Sequence, residues 1–191
     1  MKVVAFNGSP RRGGNTEQLI KEVFKPINDA GIETEFVQLG GQKVRGCIAC
    51  MQCWENKDNR CAVKDDVIND CIERALSADG IIFGSPTYFT DVTAELKALI
   101  DRLGFVSYAN GGLLIRKAGA AVVAVRRGGA IHAFDSINHL FQMSQMMVVG
   151  STYWNFGIGL DKGDVMKDDE GLKNMKNLGE NMAWLLQKIN G

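Results

Sequence analysis

Cys47, Cys50, Cys53 and Cys61 fall within fifteen residues, spaced C-x2-C-x2-C-x7-C. Iron–sulfur clusters are held by four such thiolates, often from compact C-x2-C-x2-C runs. Three thiols at intervals of three can converge on one small cubane, and a fourth, a few residues on, can close it. Other states suit the same residues. Reduced, solvent-facing thiols would need no metal. Structural zinc usually takes cysteine pairs set further apart. A disulfide framework belongs to short stapled domains, whereas C-x2-C pairs in cytosolic chains are more often metal or redox sites.

A second constellation runs Asn7-Gly8-Ser9-Pro10-Arg11-Arg12-Gly13-Gly14-Asn15-Thr16. Glycines let the backbone curl so that amide N–H groups and a helix N-terminus point at an anion. Ser9, Asn15 and Thr16 offer further donors, and Arg11 or Arg12 adds charge. A triphosphate loop requires Gly-x4-Gly-Lys-Ser/Thr; Gly8 and Gly13 have that spacing, but Gly14 stands where the lysine belongs. The dinucleotide pattern G-x-G-x-x-G is also absent. The loop therefore suits a single phosphate monoester. The plainer alternative is a capping turn with Asn15 or Thr16 as N-cap, for which two arginines and three glycines are excessive.

These residues need a scaffold, and the hydrophobic pattern supplies one. Val3–Phe6 reads as a buried strand feeding a helix through the glycine-rich loop. Leu19, Ile20, Val23, Phe24 and Ile27 recur at helical spacing, and Pro26 is expected to kink or end that helix. Thr34–Leu39 is a second strand, and residues 40–64 are irregular. Asp66–Leu76 is a helix with Cys71 on its apolar face, which makes Cys71 a core residue. Asp65 and Asp66 would then be N-capping charges. Gly80–Gly84 is a third strand, Val92–Leu103 a helix and Gly104–Lys117 a loop. Ala118–Val125 has no polar side chain, as at the centre of a parallel sheet. A Met-rich helix over Ile131–Met147, a last strand within Val148–Phe156 and a closing amphipathic helix complete the chain. Such alternation predicts an α/β fold: a doubly wound, five-stranded parallel sheet covered on both faces. We expect one domain over residues 1–191, with a cysteine-rich loop at about 44–64.

In such sheets, ligands sit beyond the carboxyl ends of the strands. The loop after strand three, Gly84-Ser85-Pro86-Thr87-Tyr88-Phe89, offers hydroxyls, free backbone groups and two aromatics, which suits a planar heteroaromatic ring. The loop after strand four is Arg126-Arg127-Gly128-Gly129. Each alone reads equally as an ordinary turn; three together at one sheet edge argue for a ligand. His132 and His139, on one helix, read as ordinary helix residues, although His132 is near enough to the third loop to approach a ligand. Trp54 reads as a packing residue.

The composition excludes several classes. The chain has 191 residues, 46% apolar and 23% charged, with zero net charge. It is long enough to bury a core without staples. No basic excess points to nucleic acid, and no polybasic arm points to a membrane. The N-terminal apolar run is too short for a signal peptide, and no stretch is long enough to span a bilayer. Five cysteines, four of them clustered, fit a reducing cytoplasm. Phe105, Val106, Tyr108, Leu113, Leu114 and Ile115 put apolar side chains on an expected surface connection, which usually marks a partner site; we expect a subunit boundary there, near the cysteine loop.

Taken together, Gly8-Ser9-Pro10-Arg11 through Gly14-Asn15-Thr16, Gly84-Ser85-Pro86-Thr87-Tyr88, and Gly128-Gly129 resemble the flavodoxin-like, NADPH-dependent FMN reductase superfamily. The four-cysteine loop resembles its iron–sulfur flavoprotein branch. The resemblance covers essentially the whole chain. It implies strand order 2-1-3-4-5, and FMN with its phosphate on the first loop (Ser9, Arg11, Arg12, Gly14, Asn15, Thr16). The isoalloxazine would lie on the second and third loops (Ser85, Pro86, Thr87, Tyr88, Phe89, Arg126, Arg127, Gly128, Gly129). It further implies a [4Fe–4S] cluster on Cys47, Cys50, Cys53 and Cys61 exchanging electrons with FMN, and a homodimer or homotetramer. NAD(P)H is a candidate donor; a clusterless NAD(P)H-dependent FMN or quinone reductase, and a non-enzymatic flavin carrier or redox sensor, are the alternative expectations.

Overall fold

A computed structural model describes residues 1–190. In chain order it contains β1 (Lys2–Asn7), α1 (Asn15–Asp29), β2 (Glu33–Gln38), the short α2 (Gln52–Asn56), α3 (Ile68–Ser77) and β3 (Gly80–Pro86). Then follow α4 (Ala94–Ala109), β4 (Ala118–Val125), α5 (Ala130–Met143), β5 (Met147–Val148), β6 (Phe156–Ile158), a 3-10 turn (Asp164–Lys167) and α6 (Asp169–Asn190). The sheet is parallel throughout, in the order β2-β1-β3-β4-β5, with β6 also on β4.

That order is the expected one, and β4 is buried along its whole length. Small and β-branched side chains let helices close over both of its faces. One core, around Phe6, Phe83 and Phe141, lies under α3, α4 and α5. The other, around Val3, Ile82 and Val122, lies under α1 and α6. Phe83 stacks on Phe141 at 5.6 Å between ring centroids and tilts against Phe6 at 5.5 Å, so one strand residue fixes both a neighbouring strand and α5. Phe83→Ala would cost about 3–5 kcal/mol.

Several boundaries differ from the sequence pattern, each for a physical reason. The last strand is split: β5 pairs with Ala118 and Gly119, and β6 with Val123–Val125. Between them, Ser151 Oγ bonds Tyr153 O and Asn155 Oδ1 at 2.7 Å, a local alternative that competes with the sheet ladder. Pro26 does not end α1, which runs three residues further, because proline near a C-terminus still offers its carbonyl, here to Ala30 N–H at 3.1 Å. α4 passes through Gly104 to Ala109, since Val106, Ser107 and Ala109 continue its buried stripe. The apolar surface connection expected there is thus half helix, and Val106 and Leu114 are core residues. α5 ends at Met143 rather than Met147, and α2 interrupts the irregular stretch. Among the described residues, no helix is long and apolar enough to cross a membrane.

Candidate functional site

The first loop leaves β1 and is shaped by side chains from other elements. Asn7 Oδ1 accepts the Ser9 N–H at 3.1 Å, while its Nδ2 donates to Gln38 Oε1 at 2.8 Å. Gln38, at the end of β2, donates in turn to the Ser9 and Gly40 carbonyls at 2.7 Å. Gly40 backs directly on this loop; a Cβ there would come within 2.3 Å of Ser9 carbonyl carbon. From the other side, Thr93 donates to Gly8 O at 2.9 Å while capping α4. Gly13 holds φ near +65°, a conformation glycine adopts without strain.

α1 begins after Gly14 with no side-chain cap, which removes the capping-turn alternative for Asn15 and Thr16. The first-turn N–H groups of Asn15, Thr16 and Glu17 have no intrahelical acceptors by construction. Thr16 is buried and its Oγ1 has no partner among the described residues. A buried hydroxyl without a partner costs about 1–3 kcal/mol unless something binds it, so an orphan beside an uncapped helix N-terminus fits an anion. Arg11 and Arg12 are exposed at the rim; Arg11 donates to Leu160 O at 3.4 Å. Asn15 Oδ1 accepts the Gly163 N–H at 2.9 Å, tying the segment after β6 to the loop. That segment brings Lys162, whose Nζ lies 2.9 Å from where a Gly13 Cβ would be. Glu17 accepts the Gly13 N–H and pairs with Lys21, both at 2.6 Å. Burial acts to raise its carboxyl, but these bonds, with Lys162 nearby, hold it below the usual value.

The second loop continues β3 at the same sheet edge. Thr87 N–H bonds Ala124 O at 2.9 Å, and Thr87 Oγ1 is a second buried oxygen without a partner among the described residues. Ser85 is turned inward: its hydroxyl donates to Pro86 O at 2.8 Å and accepts the Thr93 N–H at 3.1 Å. It positions the loop and has no free hydrogen for a ligand. Pro86 is half-buried, while Tyr88 and Phe89 stand out from the surface. Phe89 and Thr90 have positive φ, 46° and 69°, a strained turn of the kind that clusters at ligand sites. Arg126, Arg127 and Gly128 are exposed beside Gly129 on the adjoining third loop. His132 Nε2 approaches Asp91 Oδ2 at 3.5 Å. Burial would raise the Asp91 carboxyl, but the Val92 N–H, Ser136 and His132 hold it low.

The four cysteines form a separate constellation along the later turns of α4. Cys47, Cys50, Cys53 and Cys61 are free thiols lining one small cavity of about 20 Å3 with Arg102, Phe105 and Val106. That space holds about one water. Among the described residues, no three His, Cys, Asp or Glu side chains converge closely enough to hold a metal ion. The donor set nonetheless fits a cluster, because no carboxylate or imidazole lines the cavity and N–H groups reach two sulfurs. Ala49 N–H points at Cys47 Sγ at 3.5 Å, and Arg102 Nε at Cys61 Sγ at 3.2 Å. Ala49, Met51, Lys57 and Asn59 all have positive φ, so the loop is wound tightly. Burial pushes the Cys53 thiol up, and Cys61 and Cys47 add to that. Cys71 belongs to the core, where burial pushes its thiol up to about 12.

Sequence reasoning missed Gln38, Thr93, Asn69, Arg102 and Lys162. Neither Asp65 nor Asp66 is the N-cap residue of α3, which is Val67; Asp65 is exposed, while Asp66 Oδ1 accepts the Ile68 N–H at 3.1 Å and its Oδ2 meets Arg102 Nη1 at 2.5 Å with both side chains buried. Trp54 packs edge-on against Tyr108 at 5.5 Å, in keeping with a packing role.

Comparison with known proteins agrees with this architecture. The family model described as NADPH-dependent FMN reductase matches residues 1–161. An iron-sulfur flavoprotein of Methanocaldococcus jannaschii is 39% identical, with 99% of each chain covered. An iron-sulfur flavoprotein of Methanosarcina thermophila is 32% identical, over 99% of this chain and 97% of the relative. Among solved structures, RosB with bound 8-demethyl-8-formylriboflavin-5'-phosphate superposes with a TM-score of 0.78 at 17% identity, over all of this chain and 80% of RosB, a likeness of fold.

Proposed function

The chain belongs to the NADPH-dependent FMN reductase family, in its iron–sulfur flavoprotein branch, and from that premise we propose that it moves electrons between a [4Fe–4S] cluster and FMN. It is an FMN-dependent oxidoreductase. The observation that carries the finer reading is the cysteine quartet around one cavity on a scaffold of this family. When bound, FMN supplies storage of an electron pair and the cluster supplies one-electron steps.

In this reading the protein positions the two groups. Thr16 Oγ1 and the first-turn N–H groups of α1 hold the phosphate, with Arg11 and Arg12 at the rim. Thr87, Pro86, Tyr88 and Phe89 receive the ring on one side, and Arg126–Gly129 on the other. Cys47, Cys50, Cys53 and Cys61 hold the cluster. Asn7, Gln38, Ser85 and Thr93 touch no ligand; they fix the loops that do. Small-molecule redox partners of the NAD(P)H and quinone type fit the family, and the exposed Tyr88 and Phe89 leave an aromatic surface open to them.

The test is anaerobic purification with flavin, iron and sulfide assays and low-temperature EPR. Stoichiometric FMN with four irons per chain supports the reading. FMN with NAD(P)H oxidation and no iron would instead make this a clusterless reductase; FAD, or no flavin after reconstitution, would remove the flavin reading. Assembly is a further part of the proposal. Phe105, Tyr108 and Ile115 are exposed and, with His139 and Met143, line a cavity of about 390 Å3 beside the cysteine loop. We place a homodimer or homotetramer boundary there, to be checked by light scattering; a monomeric mass at micromolar concentration counts against it.

A further inference from the structure

Arg102 is the largest of the fully buried side chains. It sits on the core-facing stripe of α4, next to Leu99 and Leu103. A buried guanidinium is costly unless every donor is matched, and this one is matched almost wholly by the cysteine-rich segment. Nε donates to Cys61 Sγ at 3.2 Å, Nη1 to Arg45 O at 3.1 Å and Asp66 Oδ2 at 2.5 Å, and Nη2 to Val63 O at 2.8 Å. One side chain thus grips the segment on both sides of the cysteines. Asn69 completes the grip: its Oδ1 accepts the Cys61 N–H at 2.8 Å and its Nδ2 donates to the Cys61 and Val63 carbonyls at 3.0 and 2.9 Å.

Cys47 and Cys50, by contrast, are exposed, and among the described residues the one hydrogen bond to either sulfur comes from within the loop. Cys61 is therefore pre-set by the rigid body of the fold, while the first cysteines are free to adjust. We propose that Arg102 is the positioning residue of the iron–sulfur centre, anchoring Cys61 and lending its sulfur a charge-assisted N–H bond that raises the reduction potential of the bound cluster. The proposal rests on the cluster reading above. Its electrostatic logic is general: a donor to a ligating sulfur favours the more negative, reduced state, and hydrogen bonds to sulfur are among the factors that set cluster potentials.

Two variants separate positioning from mere folding. Arg102→Lys keeps the charge beside Asp66 but cannot reach all four acceptors. Arg102→Met with Asp66→Asn removes both charges, a change that buried ion pairs often tolerate. The FMN-loaded chain before iron reconstitution is digested with trypsin, which can cut at Lys57 and Arg60. The double variant should be cut in this loop at least about tenfold faster than wild type, with FMN retained and Arg102→Lys intermediate. After anaerobic reconstitution, an EPR-monitored titration should show the double variant's cluster potential lowered by at least the equivalent of a tenfold change in the redox ratio, about 59 mV for one electron, with partial rescue in Arg102→Lys. Unchanged potential and unchanged cleavage in a variant that binds four irons would overturn the role of Arg102. Wild type that binds no iron would overturn the cluster reading instead, and the cleavage assay would still judge the anchor.

Discussion

The two loops that carry the chemistry are built in opposite ways. The first loop lies on the carboxyl edge of the sheet and is braced from β1, β2 and α4 by Asn7, Gln38 and Thr93. Among the described residues, its unmatched side-chain oxygens include the buried Thr16 Oγ1. The cysteine loop is exposed for most of its length, holds four non-glycine residues at positive φ and reaches the core through Arg102 and Asn69. It lies alongside the later turns of α4, whose first turn braces the other loop; from Thr93 to Arg102 is roughly 14 Å along the helix axis. The difference teaches where folding energy resides. On the proposed reading, the first loop is finished by the sheet before any anion binds, whereas the cysteine loop is fixed at its ends and would be finished by the cluster, because binding energy there would be folding energy.

The largest expected effect is all-or-none. Alanine at Cys47, Cys50, Cys53 or Cys61 should abolish or alter the EPR signal of anaerobically reconstituted protein, while Cys71→Ala leaves it intact. Loss of the cluster in air should raise hydrogen exchange over residues 47–61 and leave the first loop as protected as before. Four irons per chain with Cys50 and Cys53 both alanine would break the contrast, since the loop would then owe its order to something else.

Next in size is Thr16→Val, which keeps the shape and removes the buried hydroxyl. FMN binding should weaken by about 1–3 kcal/mol, roughly 5–150-fold, measured by fluorescence titration, with iron content unchanged. A smaller effect is pH-dependent and confined to the other loop. Burial acts to raise the Asp66 carboxyl, but Arg102 and the Arg45 and Ile68 N–H groups hold it below the usual 3.8. Its pairing therefore stabilises at every pH above that value and is lost as pH falls through the lower, folded value. Hydrogen-exchange protection of residues 45–66, referenced to β4, should be flat from neutral pH to about pH 5 and fall below about pH 4; Asp66→Asn should flatten the acid limb.

The same contrast explains what could be read in the sequence. Alternating strands and helices gave the layers, because periodicity is local, whereas the strand order followed from the family resemblance. Cys71 was legible as core from its helical face, and Thr16 as a donor from its place after Gly14. The braces were not, because their partners are remote in the chain: Thr93 meets a carbonyl 85 residues away, and Arg102 a sulfur 41 residues away. A signal for Arg102 did exist, a charge between Leu99 and Leu103 on an apolar stripe, which demands a buried partner. The bracing by Ser85 was not legible, because a hydroxyl at a sheet edge looks the same whether it faces a ligand or, as here, Pro86 O and the Thr93 N–H. The split of the last strand hid in Gly150-Ser151-Thr152, whose local hydrogen bonds outcompete a two-residue ladder.

The smallest expected effect tests whether the first loop is as complete as it looks. Lys162 is exposed, yet its Nζ lies against Gly13 and its charge helps hold Glu17 ionised. An exposed charge beside a helix N-terminus acts through solvent, so its share of phosphate binding should be about 0.3–1 kcal/mol and screened by salt. Lys162→Gln should weaken FMN binding up to about fivefold at low ionic strength, less at 1 M salt. Riboflavin, which lacks the phosphate, should bind wild type and variant alike. Equal losses for both flavins would mean that Lys162 shapes the loop through Asn15 and Gly163 rather than meeting the anion, and would add it to the braces. A loss confined to FMN would make it the one cation at this loop that is supplied by the far end of the chain.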